Sequence, residues 1–236
     1  MIIPCIDLMS GKAVQLIRGK EKALEIEDPW EMVEQFKSFP LIHVIDLDAA
    51  KGKGDNLQIM KEICSKICAR AGGGIRSLEY AQILIQSGAH QVIIGTKAFS
   101  NQGINEVFLD DLSRTIGREK VIISLDSRND KIVIKGWTES IDISSDKVIA
   151  QLEPYCAGFL CTYVDQEGTM EGTNLEWFHK LRSWTSLPVI AAGGIGSYEE
   201  VETLCKISVD VALGMSIYTG RLDVKKLLVL NQMSEK

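Results

Sequence analysis

The chain reads as an α/β protein, a single (β/α)₈ TIM barrel built as a two-fold half-barrel repeat, and three observations predict this. Short β-branched runs alternate with longer stretches whose apolar residues recur every three to four positions, the pattern of strands and amphipathic helices in a parallel sheet. Motifs from the first half return in the second at a constant spacing. At 236 residues, the length suits eight βα units in one domain.

Eight strands are expected: Ile2 to Ile6, Leu41 to Ile45, Ile67 to Ala71, Gln91 to Ile94, Val121 to Leu125, Phe159 to Thr162, Pro188 to Ala192 and Asp210 to Leu213. Between them, Met32, Val33 and Phe36, and again Leu57, Met60 and Ile63, mark one buried helical face each. Ser77 opens a helix after a glycine cluster, and Ser197 with Glu200 three residues on forms a capping box. No Pro- or Ser-rich linker divides the chain, so residues 1–236 form one domain, with half-barrels of about 1–117 and 118–236.

The repeat is concrete. Ile6-Asp7-Leu8 is matched by Leu125-Asp126-Ser127, Gly73-Gly74-Ile75 by Gly193-Gly194-Ile195, and Gly95-Thr96 by Gly214-Met215, each 119 or 120 positions apart. Four βα units repeated once explain that offset, whereas an open doubly wound sheet gives no reason for it.

Composition narrows the function. Hydrophobic residues at 45% and charged residues at 25% describe an ordinary globular protein, which excludes disordered and fibrous classes. A formal charge of −6 argues against a nucleic-acid surface, and no apolar run is long enough to span a membrane. The start has no basic segment ahead of its apolar stretch, so a cytoplasmic location is expected. The six cysteines form no Cys-x-x-Cys or zinc-type spacing. Cys64 and Cys68, one helical turn apart, read as buried or half-buried thiols, and neither metal nor cofactor is expected.

Barrel enzymes draw their catalytic groups from the C-terminal ends of strands. Asp7 and Asp126 end apolar strands, where a carboxylate is costly unless solvated or paired. One such aspartate could be a helix cap, but two at duplicated positions point to a functional pair. Facing carboxylates whose environments push their pKa values apart suit acid–base work, such as aldose–ketose isomerisation, where an acid opens the sugar ring and a base takes the adjacent carbon-bound proton. Residues 71–77 and 192–197 each lead from a strand through Gly73-Gly74 or Gly193-Gly194 into a helix start, where backbone N–H groups can approach a phosphate. Gly95-Thr96 and Gly214-Met215 end the next strands, giving one phosphate site per half and an expected small-molecule ligand with phosphate at both ends.

Other polar residues are less specific. Asp46 or Asp48 could be an acid, with one of them capping a loop or facing the helices; His43 reads as a packed strand histidine, and His90 and His179 as surface residues. Thr162, ending a strand, could hydrogen-bond a reacting oxygen.

These motifs resemble the ProFAR isomerase family of histidine biosynthesis (HisA). The resemblance rests on Ile3-Pro4-Cys5-Ile6-Asp7-Leu8 with Gly11-Lys12 and Val14, on residues 43–48 (His-Val-Ile-Asp-Leu-Asp) and on Gly72-Gly73-Gly74-Ile75-Arg76. It continues through Lys135-Gly136-Trp137 and Asp165-Gln166-Glu167-Gly168-Thr169 to Tyr218-Thr219-Gly220-Arg221, nearly the whole chain. It implies a cofactor-free Amadori rearrangement of an aminoaldose bearing two phosphates, with Asp7 as proton acceptor, Asp126 as proton donor and Thr162 assisting. It also implies substrate contacts at Gly73, Gly74, Arg76, Gly95, Thr96, Gly168, Thr169, Gly193, Gly194, Gly214 and Met215. The segment from Met9 to Asp28 corresponds to a first βα loop that closes over substrate.

Three positions depart from the family pattern. Thr162 is followed by Tyr163 rather than an acid, Gln166-Glu167 replaces an Arg-Asp pair, and Met215 stands where a basic or small polar residue is usual. Rival readings are the sister cyclase of imidazole glycerol phosphate synthase, an isomerase that also accepts phosphoribosylanthranilate, and a non-catalytic sugar-phosphate binder. A monomer acting on ProFAR, with no nucleic-acid or membrane partner, is the expectation.

Overall fold

The computed structural model describes residues 1–100, 103–128, 131–134, 139–140 and 145–234. Eight strands make the barrel: β1 (Ile2–Met9), β2 (Ile42–Asp46), β3 (Ala69–Gly72), β4 (Gln91–Ile94), β5 (Val121–Arg128), β6 (Gly158–Tyr163), β7 (Val189–Ala192) and β8 (Val209–Leu213). Each runs parallel to its neighbours, in sequence order around the ring. The ring closes where β8 meets β1 through Ile3 beside Ala212, and where β4 meets β5 through Ile93 beside Ile122.

Strands of such a barrel are buried on both faces, which is why they read as unbroken apolar runs. Alternate residues part company at each step. Ile3, Leu41, Ile93, Ile122, Leu160, Ile190 and Ala212 fill the barrel interior, while Ile2, Ile6, Val44, Val92, Ile123 and Phe159 face outward into the layer beneath the helices. Phe36, Trp177 and Phe178, wholly buried there, seat the helices Pro29–Phe36 and Leu175–Trp184 on the sheet.

The interior also holds buried polar groups. Arg70 Nε donates to Gln91 Oε1 (2.6 Å), Gln91 Nε2 donates to the carbonyl of Glu119 (2.8 Å), and the Arg70 guanidinium approaches His43 Nε2 at 3.5 Å. Burial, and then the neighbouring guanidinium, hold the His43 pKa well below the usual histidine value, so its ring is neutral and can accept from Arg70.

Local signals act as the residues suggest. Ser77 accepts from the Tyr80 amide, and Ser197 with Glu200 makes both arms of the capping box. Two readings need correction. The helix Leu57–Lys66 stops before Ile67, which turns extended, so Cys68 lies outside it and is exposed whereas Cys64 is buried. Strand β3 accordingly starts at Ala69 rather than Ile67. The segment after β1 is also more than a loop: Lys12–Ile17 and Glu21–Ile26 form an antiparallel hairpin continuous with β1. In the second half, β5 likewise runs on to pair with Lys131–Ile134. Lys135-Gly136-Trp137 lies outside the described residues.

Candidate active site

Asp7 and Asp126 occupy the same place in their half-barrels. Each sits near the end of the first strand of its half, beside the next strand and beside its own hairpin: Asp7 lies between Ile45 and Val14, Asp126 between Thr162 and Val133. Both side chains line one cavity of about 400 Å³ at the C-terminal mouth of the barrel, together with Thr162. Ser124 Oγ donates to Asp126 Oδ1 at 3.1 Å and fixes that carboxylate.

Removal from water raises the Asp7 pKa to about 7; the Lys51 ammonium opposes the rise. Lys51 ends the short helix Leu47–Lys51, which Arg76 clamps by donating to the carbonyls of Ala49 (2.8 Å) and Ala50 (2.7 Å). Asp46 starts that helix as its cap: it accepts from the amides of Ala49 and Asn56 and lies wholly buried. That fixes Asp46 as a structural residue, and Asp48 is tied to the Ser10 amide at the base of the hairpin.

The glycine turns frame the mouth. Gly73, Gly74, Arg76, Gly95 and Thr96 line the cavity from the first half, and Gly168, Gly193, Gly194, Gly214 and Met215 from the second. Gly74 and Gly194 both hold φ near +70° to +80°, and a Cβ at either would overlap backbone, of Ala49 in one half and Gly172 in the other. Thr169 is the exception among the expected contacts, since its hydroxyl donates to the Gln166 carbonyl at 2.9 Å and its side chain does not line the cavity. Met215 lines the cavity while being mostly buried.

Sequence reasoning passed over Glu167, noted only as a departure. It lines the cavity, its Oε2 is buried with no hydrogen-bond partner, and burial followed by the charges of Asp7 and Asp126 raises its pKa to about 8. The carboxyl is therefore protonated at neutral pH. Its position next to a strand-end Tyr163-Val164 turn was the available signal, but only the fold brings residue 167 beside residue 7. Gln15 and Arg18, from the hairpin, were missed for the same reason.

Among the described residues no group of three or more His, Cys, Asp or Glu side chains could hold a metal ion, and no helix is long and apolar enough to cross a membrane.

A closed parallel barrel whose two halves each bring a strand-end carboxylate and a pair of glycine turns to one mouth defines a class: two-fold repeated (β/α)₈ enzymes that work on small molecules at the C-terminal face. The sequence profile of the histidine biosynthesis protein family matches residues 1–223. The relative from Methanocaldococcus jannaschii is 38% identical, covering 97% of this chain and 98% of its own. Those from Methanosphaera stadtmanae and Aquifex aeolicus are 39% and 37% identical over 97% and 96% of this chain, and 98% and 96% of theirs. All three are named 1-(5-phosphoribosyl)-5-((5-phosphoribosylamino)methylideneamino)imidazole-4-carboxamide isomerase, the ProFAR isomerase. The chain belongs to the histidine biosynthesis protein family and, within it, to the isomerases that these relatives represent.

Proposed function

We propose that this protein converts ProFAR to its ribulosyl isomer by an Amadori rearrangement, with Asp7 as base and Asp126 as acid. The observation that carries the reading is the duplicated constellation itself: two strand-end carboxylates in one cavity, flanked on either side by glycine turns open to backbone contact with an anion. A ligand with a phosphate at each end spans such a mouth and lays its ribosyl carbon atoms over the carboxylates.

The chemistry then follows from the two groups. Asp126 gives a proton to the ring oxygen as the C1–O bond breaks and the amino nitrogen's lone pair forms the C1–N double bond, leaving a protonated imine at C1. Asp7, ionised above about pH 7, takes the proton from C2 and forms an enaminol. The proton on Asp7 passes to C1 while Asp126 recovers one from the C2 hydroxyl, which yields the ketone and restores both side chains. Thr162, in register beside Asp126, is placed to hydrogen-bond the reacting oxygen.

The direct test is turnover of ProFAR by the purified protein, with phosphoribosylanthranilate assayed in parallel. Turnover of ProFAR alone is expected; no turnover of either substrate would sink the assignment. The pH profile adds a second check. kcat/KM should rise through about pH 7 as Asp7 ionises, and fall above about pH 8 as Glu167 ionises and adds a negative charge that repels phosphate. In Glu167→Gln the alkaline fall should vanish while the acid limb stays.

A further inference from the structure

The turn that follows the second strand carries a different charge in each half of the barrel. After β2 it is the short helix Leu47–Lys51, and after β6 the single turn Val164–Gln166. The first brings Lys51 to the cavity and the second leads into Glu167. No described lysine or arginine lines the cavity from residues 118–236.

The helix that carries Lys51 is braced at both ends. Asp46, its cap, also accepts from the Asn56 amide (2.6 Å) and from Asn56 Nδ2 (2.8 Å), and the same Nδ2 donates to Asp48 at 3.0 Å. Gly73 and Gly74 pack so closely on it that a Cβ at either would overlap backbone of Asp46 or Ala49. At the far end the Gly52 amide donates to the Asp48 and Ala49 carbonyls, and Arg76 donates to those of Ala49 and Ala50. The last carbonyls of the helix, which a C-terminal lysine often serves, are thus satisfied without Lys51. Its ammonium has no hydrogen bond or ion pair among the described residues.

Around Asp7 the other groups are neutral or acidic. Cys5 on β1 and Tyr218 from the helix Met215–Tyr218 are held protonated by burial, and His43 on β2 is held uncharged by it. Asp126 on β5 and Glu167 after β6 are acids. Five cations line the cavity. Arg76 is engaged with backbone, Lys97 lies over the Phe108 ring at 5.4 Å, and Arg18 and Lys20 belong to the hairpin after β1. Lys51 is the cation whose field reaches Asp7.

We propose that Lys51 is a positioning residue for the proton transfer: fixed by its braced helix, its ammonium keeps Asp7 ionised and so makes that aspartate, rather than Asp126, the base. Duplication supplies two equivalent carboxylates, and the charge on the neighbouring turn tells them apart. This rests on the reading of Asp7 as base given above.

Lys51 is exposed, so its replacement should leave the fold intact. In Lys51→Met the acid limb of kcat/KM should move up by roughly 0.5–1 pH unit, in Lys51→Glu by more, and in Lys51→Arg it should keep its wild-type position. For Lys51→Met that means a loss of roughly three- to ten-fold at pH 6 and a rate within about two-fold of wild type at pH 8. The titration of Asp7 itself, followed through its carboxyl-carbon NMR resonance and identified by its loss in Asp7→Asn, should show the same displacement with no substrate present. Equal losses at pH 6 and pH 8 with the Asp7 titration unmoved would mean that Lys51 holds substrate instead, and overturns the proposal. A Lys51→Met protein that matches wild type at both pH values overturns it as well. Failure of the wild type to turn over ProFAR would remove the isomerase reading, and the carboxyl titration would still decide whether Lys51 holds Asp7 ionised.

Discussion

Asp7→Asn and Asp126→Asn should each cut turnover of ProFAR by at least ~10²-fold, the usual contribution of a general acid or base. The two substitutions should differ in what else they change. Asp7 is a carboxyl raised to about 7 by burial, so its ionised form opposes folding. The sign follows from proton linkage: between about pH 4, where an unfolded aspartate titrates, and pH 7, the folded state holds more protons than the unfolded one. Asp7 therefore subtracts stability progressively across that window and does so fully above it. Asparagine carries no such charge. Asp7→Asn should accordingly be more stable than wild type at pH 8, by roughly 1–3 kcal/mol once residual solvation is allowed for, and no different near pH 3. Thermal melts at the two pH values check this, and a variant that is inactive yet melts higher at pH 8 is the expected pattern. Near-normal activity in either variant would remove that residue from the mechanism.

The second large effect is expected at Gly194. Its φ of +77° already disfavours a side chain, and an added Cβ would overlap the Gly172 carbonyl oxygen and stand 2.7 Å from Gln166 Cβ. Backbone cannot give way as a flexible side-chain end can, so Gly194→Ala should cost about 2–4 kcal/mol, combining left-handed strain with overpacking. For a chain of this size that lowers Tm by roughly 5–15 °C, and the phosphate turn should bind less well. Gly95→Ala is the comparison without overpacking: the space is open, but φ −98° with ψ −118° lies between the α and β wells, so backbone strain alone should cost about 1–2 kcal/mol, less than at Gly194. Equal melting of the two variants would contradict the packing described for the turns.

The contrast between what could and could not be read in advance has physical causes. Barrel strands buried on both faces announce themselves as apolar runs, and duplication doubles each signal, so the eight strands and the paired aspartates were legible. The Lys12–Ile17 strand was not, although Ala13-Val14-Gln15-Leu16-Ile17 between Gly11 and Gly19 is a fair hairpin pattern, because a long βα loop is the default expectation at that place. Cys68 was misjudged because helical spacing was extended two residues past the true helix end. Glu167 was invisible as a pocket residue for another reason. Its raised pKa comes from burial and from Asp7 and Asp126, which lie far away in sequence, and no local pattern encodes that meeting.

The packed lower barrel has a consequence for traffic. Ile3, Leu41, Ile93, Ile122, Leu160 and Ile190 fill the interior, and Arg70 donates to Gln91 and approaches His43 at 3.5 Å within it. A molecule that enters by the mouth leaves by the mouth. Reactant and product then share one opening, so the ribulosyl compound, as it accumulates, competes with the ribosyl one for the same doorway.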